Sequence, residues 1–171
     1  AGKTTTLSMI CGLLRPDAGR VVVDGTDIAT LDARAITGFR RRFGMSFQEG
    51  ALFDSMSVWE NVAFALRRAN RPKDEISARV AECLELVHLE GADQKMPAEL
   101  SGGMRRRVGF ARAIAFEPKI LLFDEPTTGL DPVMKAVIDQ LILELQERLG
   151  STAVSITHDM DSAFRIAERI S

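Results

Sequence analysis

The pattern of apolar and polar positions predicts strands and helices that alternate at both ends of the chain. Four consecutive apolar residues, Ile120–Phe123, predict a short strand that is buried on both faces, as in a parallel sheet. Asp124 and Glu125 follow directly, and Pro126 ends the strand because proline removes a ladder donor. Acids at that point are expected at the ligand-binding edge of an α/β sheet. A solvated acidic loop is the alternative that this pattern leaves open.

Other short apolar runs predict further strands. They are Val21–Val23 before the turn Asp24-Gly25, Phe43–Phe47 before Gln48, and Thr152–Ile156 before Thr157-His158-Asp159. Helical spacing predicts one helix near the start of the chain, carrying Leu7, Ile10, Cys11 and Leu14, and another over about 161–170. Asp131-Pro132 and Gly150 predict the two ends of a helix with a buried stripe from Met134 to Leu149.

The middle of the chain is predicted to be helical. Ser57 and Glu60 form a capping-box pattern, a second helix follows Pro72, and a third begins after Ser101–Gly103. These elements predict an α/β domain, with residues 1–51 and 117–171 as the core and 52–116 as a helical subdomain.

Length and composition narrow the class of protein. A chain of 171 residues, 46% hydrophobic and 27% charged, fits one soluble domain. The net charge of −2 argues against a general nucleic-acid binder, and the two cysteines, Cys11 and Cys83, lack metal-ligand spacing. No apolar run approaches the ~20 residues needed to span a bilayer, so we expect any membrane role to come through a partner. The chain opens without Met, so we expect a segment cut at both ends of a longer domain.

Gly2-Lys3-Thr4 matches the end of a phosphate-binding loop. In that motif glycine lets backbone N–H groups approach phosphate oxygens, lysine reaches the β- and γ-phosphates, and the hydroxyl ligates Mg²⁺. The motif leads into a predicted helix N-terminus, which favours anions.

The acidic strand end supplies candidates for the remaining chemistry. Asp124 fits the acid that holds the magnesium shell, and Glu125 is placed to orient or deprotonate a water. His158 ends the next predicted strand, so a parallel sheet would bring it to the same edge as Asp124, although a surface histidine is the simpler alternative. Gln48 is likewise a candidate, as an uncharged acceptor that follows a predicted strand, although an incidental glutamine is the simpler alternative.

The segment Leu100-Ser101-Gly102-Gly103-Met104 places a serine and two glycines at a helix start, where N–H groups and the helix dipole favour anions. An ordinary capped helix is the alternative. The run Arg105–Arg107 is interpreted as a solvated or phosphate-facing surface.

Six motifs in this order resemble the ATP-binding subunit of an ABC transporter, over the whole chain. They are Gly-Lys-Thr-Thr (2–5), Gln48, Leu-Ser-Gly-Gly-Met (100–104), Ile-Leu-Leu-Phe-Asp-Glu (120–125), Gly-Leu-Asp (129–131) and Thr-His-Asp (157–159). The resemblance implies a P-loop NTPase (RecA-like) fold, a parallel-sheet core with an inserted α-helical subdomain, and N-terminal strands that are missing here.

The resemblance also implies roles. It makes Glu125 and His158 catalytic, and Thr4, Gln48 and Asp124 the Mg²⁺ residues; its ATP-binding residues are Gly2, Lys3, Thr4, Thr5, Gln48, Asp124, Ser101, Gly102, Gly103 and Asp131. Two subunits would enclose two ATP molecules head to tail, with Ser101–Gly103 contributed by the opposite chain. Transmembrane permease subunits are the other implied partners, with no nucleic acid expected, and the location is cytoplasmic at the inner face of the cell membrane.

A narrower resemblance concerns the transported substrate. The segment Phe47–Phe64, with Met104 where most ABC signatures have Gln, is similar to Mla-type ATPases, which power lipid transport across the bacterial envelope. Other ABC importers or exporters remain the alternative. A soluble ABC-type ATPase acting on DNA or ribosomes is disfavoured, because no heptad run lies between Gln48 and Leu100. We also expect residues 1–171 alone to bind ATP weakly and to be inactive.

Overall fold

A computed structural model describes residues 2–170. It contains seven α-helices and five strands within that range. The helices are α1 Lys3–Ile10, α2 Ala33–Arg40, α3 Val58–Arg68, α4 Lys73–Leu86, α5 Gly102–Ile114, α6 Pro132–Leu149 and α7 Met160–Ile166. The strands are β1 Val22–Val23, β2 Thr26–Asp27, β3 Phe43–Ser46, β4 Ile120–Asp124 and β5 Thr152–Ile156. Short 3₁₀ turns cover Ile28–Thr30, Gln48–Gly50 and Pro97–Glu99.

The central sheet is parallel, as predicted, and has the strand order β3-β4-β5. Ser46 pairs with Phe123, and Asp124 pairs with Ile156. Since parallel strands in this register end together, the segments that follow β3, β4 and β5 share one edge of the sheet. The pair β1 and β2 forms a separate antiparallel hairpin around the predicted turn.

Helices cover both faces of the sheet. Along β4 the fully buried Leu122 packs with Leu7 and Cys11 of the α1 segment. Its neighbours Leu121 and Phe123 point to the other face, because side chains alternate along a strand. There Phe123 contacts Phe110 of α5, with ring centroids 4.9 Å apart.

One continuous hydrophobic cluster joins α3, α4, α5, β4 and α6. All three α-helices between β3 and β4 lie within 52–116, the segment predicted to be helical. Their apolar side chains pack into the same cluster as those of β4 and α6, so the division into core and helical subdomain stays a prediction.

Several element ends were predicted correctly. Asp131 caps α6 by accepting hydrogen bonds from the N–H groups of Val133 and Met134, both at 3.0 Å. Gly150 ends this helix in a left-handed conformation, and both hydrogen bonds of the Ser57–Glu60 capping box are present.

Three local predictions were wrong or missed. The first helix ends at Ile10, so Leu14 is exposed rather than part of its apolar face. The last helix ends at Ile166, because Ala167 takes an extended conformation. Helix α2 was not predicted, although Asp32 accepts hydrogen bonds from the N–H groups of two following residues and so supplies a clear capping signal.

Candidate functional site

Helix α1 begins at the edge of the sheet where β4 and β5 end. Gly2 is its N-cap in a left-handed conformation (φ 91°), and Thr5 lies exposed in the first turn. The first turn carries no acidic residue, so its N–H groups retain the positive end of the helix dipole. The Lys3 ammonium donates a hydrogen bond to the Thr157 carbonyl at 3.2 Å, which places the lysine across the end of β5.

Thr4 and Asp124 form the first close pair of predicted site residues. The Thr4 hydroxyl donates a hydrogen bond to Asp124 Oδ2 at 2.7 Å, and Asp124 is 7% exposed. Both side chains present oxygen ligands, which Mg²⁺ prefers. In the described part of the chain no cluster of three or more His, Cys, Asp or Glu could hold a metal. The oxygens of Thr4 and Asp124 suit Mg²⁺, which needs only one or two protein ligands when phosphates and water supply the others.

Glu125 and His158 form the second close pair. His158 Nδ1 lies 2.8 Å from Glu125 Oε2, and the Thr128 hydroxyl donates to the same oxygen at 3.0 Å. The N–H of His158 also points at this oxygen, at 3.3 Å. The Glu125 side chain is 18% exposed, whereas that of His158 is 67% exposed and open to a ligand.

Two opposing effects act on the pKa of Glu125. Burial, the largest single effect, raises it, but the hydrogen bonds from His158 and Thr128 and the electrostatic effect of His158 together lower it by more, so the pKa lies below the ordinary value of a glutamate. The carboxylate is consequently ionised at neutral pH and can accept a hydrogen bond from a water molecule.

The remaining predicted residues lie apart from these two pairs. Gln48 is exposed in the 3₁₀ turn after β3, and Ser101 is the exposed N-cap of α5, its hydroxyl accepting from the N–H of Met104 at 3.2 Å. Gly102 and Gly103 form the first turn of α5, and Asp131 caps α6. Within residues 2–170, none of these five residues forms a hydrogen bond with the two pairs or with Lys3.

The interpretation of Arg105–Arg107 as a solvated or phosphate-facing surface was wrong for Arg106, whereas Arg105 and Arg107 are half-buried. Arg105 donates to the Leu100 carbonyl, and Arg107 donates to the His88 carbonyl. Arg106 is only 5% exposed and donates to the carbonyls of Pro126 and Thr128. Of these contacts, the one between Arg106 and the Pro126 carbonyl is buried, so Arg106 satisfies a carbonyl that water does not reach.

Two contacts of the site were not predicted. Thr128 follows Glu125 by three residues, a spacing at which a hydroxyl can reach back to a carboxylate, so the sequence does carry a signal for it. The other contact is that of Arg106 with the carbonyls that follow Glu125. Arg106 lies far from Glu125 in the sequence, and its neighbouring residues do not distinguish it from Arg105.

Comparison with known proteins gives a consistent set of relatives. Residues 1–128 match the protein family described as "ABC transporter". The methionine import ATP-binding protein MetN of Caulobacter vibrioides is 48% identical over 170 residues, covering 99% of this chain and 51% of MetN. The sulfate/thiosulfate import ATP-binding protein CysA of Xylella fastidiosa is 46% identical over 174 residues, covering 99% of this chain and 49% of CysA. The chain thus spans about half the length of the curated relatives it matches.

A solved structure supports the same grouping. The dimeric post-hydrolysis state of the ATP-binding cassette MJ0796, bound to ADP and Pi, superimposes with a TM-score of 0.84 at 37% identity. The match covers 96% of this chain and 73% of that one. The predicted P-loop fold with a parallel sheet and inserted helices is confirmed by this likeness.

Proposed function

This chain belongs to the ABC transporter family, and from that premise we propose that it is the ATP-hydrolysing part of an ABC importer. The observation that carries the proposal is the Glu125–His158 contact at 2.8 Å beside the Thr4–Asp124 pair at the same sheet edge. A phosphate-binding helix start, a magnesium pair and an ionised carboxylate in one place are the parts that ATP hydrolysis requires.

Each group has a distinct task in this proposal. The N–H groups at Gly2–Thr5 and the Lys3 ammonium bind the phosphates of ATP. Thr4 and Asp124 would hold Mg²⁺, together with Gln48, and a bound ion would supply positive charge against the phosphates. Glu125 accepts a proton from the attacking water, and His158 and Thr128 orient its carboxylate. The water oxygen bonds to the γ-phosphorus as the bond between that phosphorus and its bridging oxygen breaks in line with the attack, and ADP leaves with the electron pair.

A second subunit is part of the proposal because the predicted site residues of one chain lie in two separate groups. Ser101–Gly103 and Asp131 have no hydrogen bond to the Lys3 and Glu125 groups within residues 2–170. We assign these residues to the ATP site of an opposite chain in a head-to-tail dimer. The description of MJ0796 as a dimer supports this arrangement.

Membrane partners are part of the same proposal. Within residues 2–170 no helix is both long and apolar enough to cross a membrane. We assign the translocation path to transmembrane permease subunits, with this chain bound at their cytoplasmic face. The names of MetN and CysA describe both as import ATP-binding proteins, which favours an importer over a lipid-transport ATPase. The Phe47–Phe64 segment and Met104 keep lipid transport as the second candidate.

Glu125→Gln in the full-length protein with its membrane subunits tests the catalytic assignment. We expect kcat for ATP hydrolysis to fall by at least ~100-fold, since a positioned general base contributes about that much. ATP binding, followed by calorimetry, should be retained because the phosphate and magnesium residues are untouched. The matched control Glu147→Gln changes an exposed acid of α6 and should keep wild-type turnover. Wild-type kcat in Glu125→Gln would refute the role of Glu125.

The substrate class can be tested on the same complex. Reconstituted in vesicles, it should show ATPase stimulation by a small solute with its binding protein if it is an importer. Stimulation by phospholipid alone would favour lipid transport, and stimulation by nucleic acid in the absence of membrane subunits would refute the transporter assignment.

A further inference from the structure

Glu125 has an unusual backbone conformation. Its φ is 51°, in the left-handed region that non-glycine residues rarely adopt. Such a conformation persists where surrounding contacts fix the backbone on both sides. On the N-terminal side, the N–H of Glu125 donates to the Ile156 carbonyl at 2.8 Å, which continues the β4–β5 pairing.

On the C-terminal side, Arg106 of α5 holds the next residues. Arg106 Nη1 donates to the Pro126 carbonyl at 2.5 Å, and Nη2 donates to the Thr128 carbonyl. A guanidinium is planar and always charged, so its two nitrogens fix the separation and direction of the two carbonyls. Arg106 is 5% exposed, and a buried charge is costly unless it is hydrogen-bonded, so both contacts stabilise the buried guanidinium.

The side chain of the residue between those carbonyls is held from a different element. Thr127 is fully buried, and its hydroxyl lies 3.2 Å from that of Ser162 in α7. The Ser162 hydroxyl donates to Asp139 Oδ2 at 3.0 Å, so in this chain of hydrogen bonds Thr127 is the donor to Ser162. Asp139 is 2% exposed and also accepts from Arg165 at 3.1 Å, which ties α6 to α7.

We propose that Arg106 and Ser162 clamp the segment Pro126–Thr128 and thereby position the Glu125 carboxylate for reaction. This clamp, formed by Arg106, Pro126–Thr128 and Ser162, rests on the proposed function of Glu125. It makes Arg106 and Ser162 positioning residues, since the contacts that carry the clamp join them to Pro126, Thr127 and Thr128 and not to the Glu125 carboxylate.

The clamp also connects two parts of the molecule that act in different ATP sites. Arg106 lies in α5, the helix that starts at Ser101–Gly103, and these residues are assigned to the opposite chain's ATP. A shift of α5 changes the position of the Pro126 and Thr128 carbonyls through Arg106. The backbone of Glu125 therefore follows the position of α5.

Arg106→Met in the full-length complex tests the clamp. We expect kcat to fall by roughly 10- to 100-fold, as expected for a misplaced catalytic group, while KM for ATP stays within about twofold. The matched control is Arg107→Met, one residue along the same helix, whose guanidinium donates to the carbonyls of Val87 and His88 at the end of α4. This control should leave kcat unchanged even where it lowers the melting temperature.

A second measurement does not depend on activity. Amide hydrogen exchange of a peptide spanning 125–130 should speed up by about tenfold or more in Arg106→Met and should stay at the wild-type rate in Arg107→Met. Should Arg106→Met fail to fold, Thr127→Val removes the hydroxyl that holds the segment from the α7 side while keeping the arginine paired. It should give the same fall in kcat at unchanged KM.

The outcomes separate this inference from the proposed function. A folded Arg106→Met with wild-type kcat and exchange, or an equal loss of kcat in Arg107→Met, would overturn the clamp. Wild-type turnover in Glu125→Gln would instead overturn the proposed function, and the exchange rates would still decide whether Arg106 fixes the segment.

Discussion

The 3₁₀ turn Gln48–Gly50 packs directly on the backbone of α5. The substitution Gly109→Ala tests how close this packing is. A Cβ at Gly109 would lie 2.8 Å from Gly50 Cα and 3.2 Å from Gly50 O. Ordinary contacts of a Cβ begin at 3.4 Å, and the atoms it would meet belong to the backbone. The turn has to move, because a backbone cannot rotate away as a side chain can.

Two opposing contributions decide whether Gly109→Ala raises or lowers the free energy of unfolding. Overpacking of this kind costs about 1–3 kcal/mol. Replacing a helical glycine with alanine contributes roughly 0.5–1 kcal/mol in the other direction. We expect a net loss of about 1–2 kcal/mol in the free energy of unfolding, which lowers the melting temperature by roughly 2–8 °C in a domain of this size.

Gly38→Ala is the matched control for this substitution. Gly38 is also helical, lies exposed in α2, and an added Cβ would meet no heavy atom within 4 Å. It should stabilise the protein by roughly 0.5–1 kcal/mol. Thermal unfolding followed by circular dichroism separates the two variants. Equal melting temperatures for Gly109→Ala and Gly38→Ala would show that the turn can move without loss of stability and would refute the close packing.

Two further predictions concern single contacts of the site. His158→Ala should raise the pKa of Glu125, since burial is then opposed by fewer hydrogen bonds. In the wild type this carboxylate stabilises the fold above the ordinary glutamate pKa, and that contribution is lost as pH falls through the lowered folded pKa. In the variant the loss should begin at higher pH, which ¹³C NMR titration of the Glu125 carboxyl would show. An unshifted titration would exclude the contact. Asp131→Ala should cost about 1 kcal/mol in urea unfolding, whereas Asp131→Ser should cost less because its hydroxyl still caps α6; equal losses would exclude capping as the cause.

Local sequence signals were enough to predict where elements begin and end when the cause lies in neighbouring residues. Asp131-Pro132 and Gly150 mark α6 because capping and left-handed conformations depend on the residues at those positions. The strand β5 was predicted with the bounds that the structure gives it. The shared edge of Asp124 and His158 also followed from the sequence, since parallel strands place their carboxyl ends together.

Contacts between residues far apart in the chain depend on how the helices pack on the sheet. Arg106 looks like its neighbour Arg105 in the sequence, and its burial against Pro126 and Thr128 comes from the packing of α5 beside the end of β4. The left-handed backbone of Glu125 has the same origin, because the contacts that fix it come from β5, α5 and α7. Periodicity and capping report the conformation of neighbouring residues, whereas a hydrogen bond between segments far apart in the chain exists only once the helices have packed on the sheet.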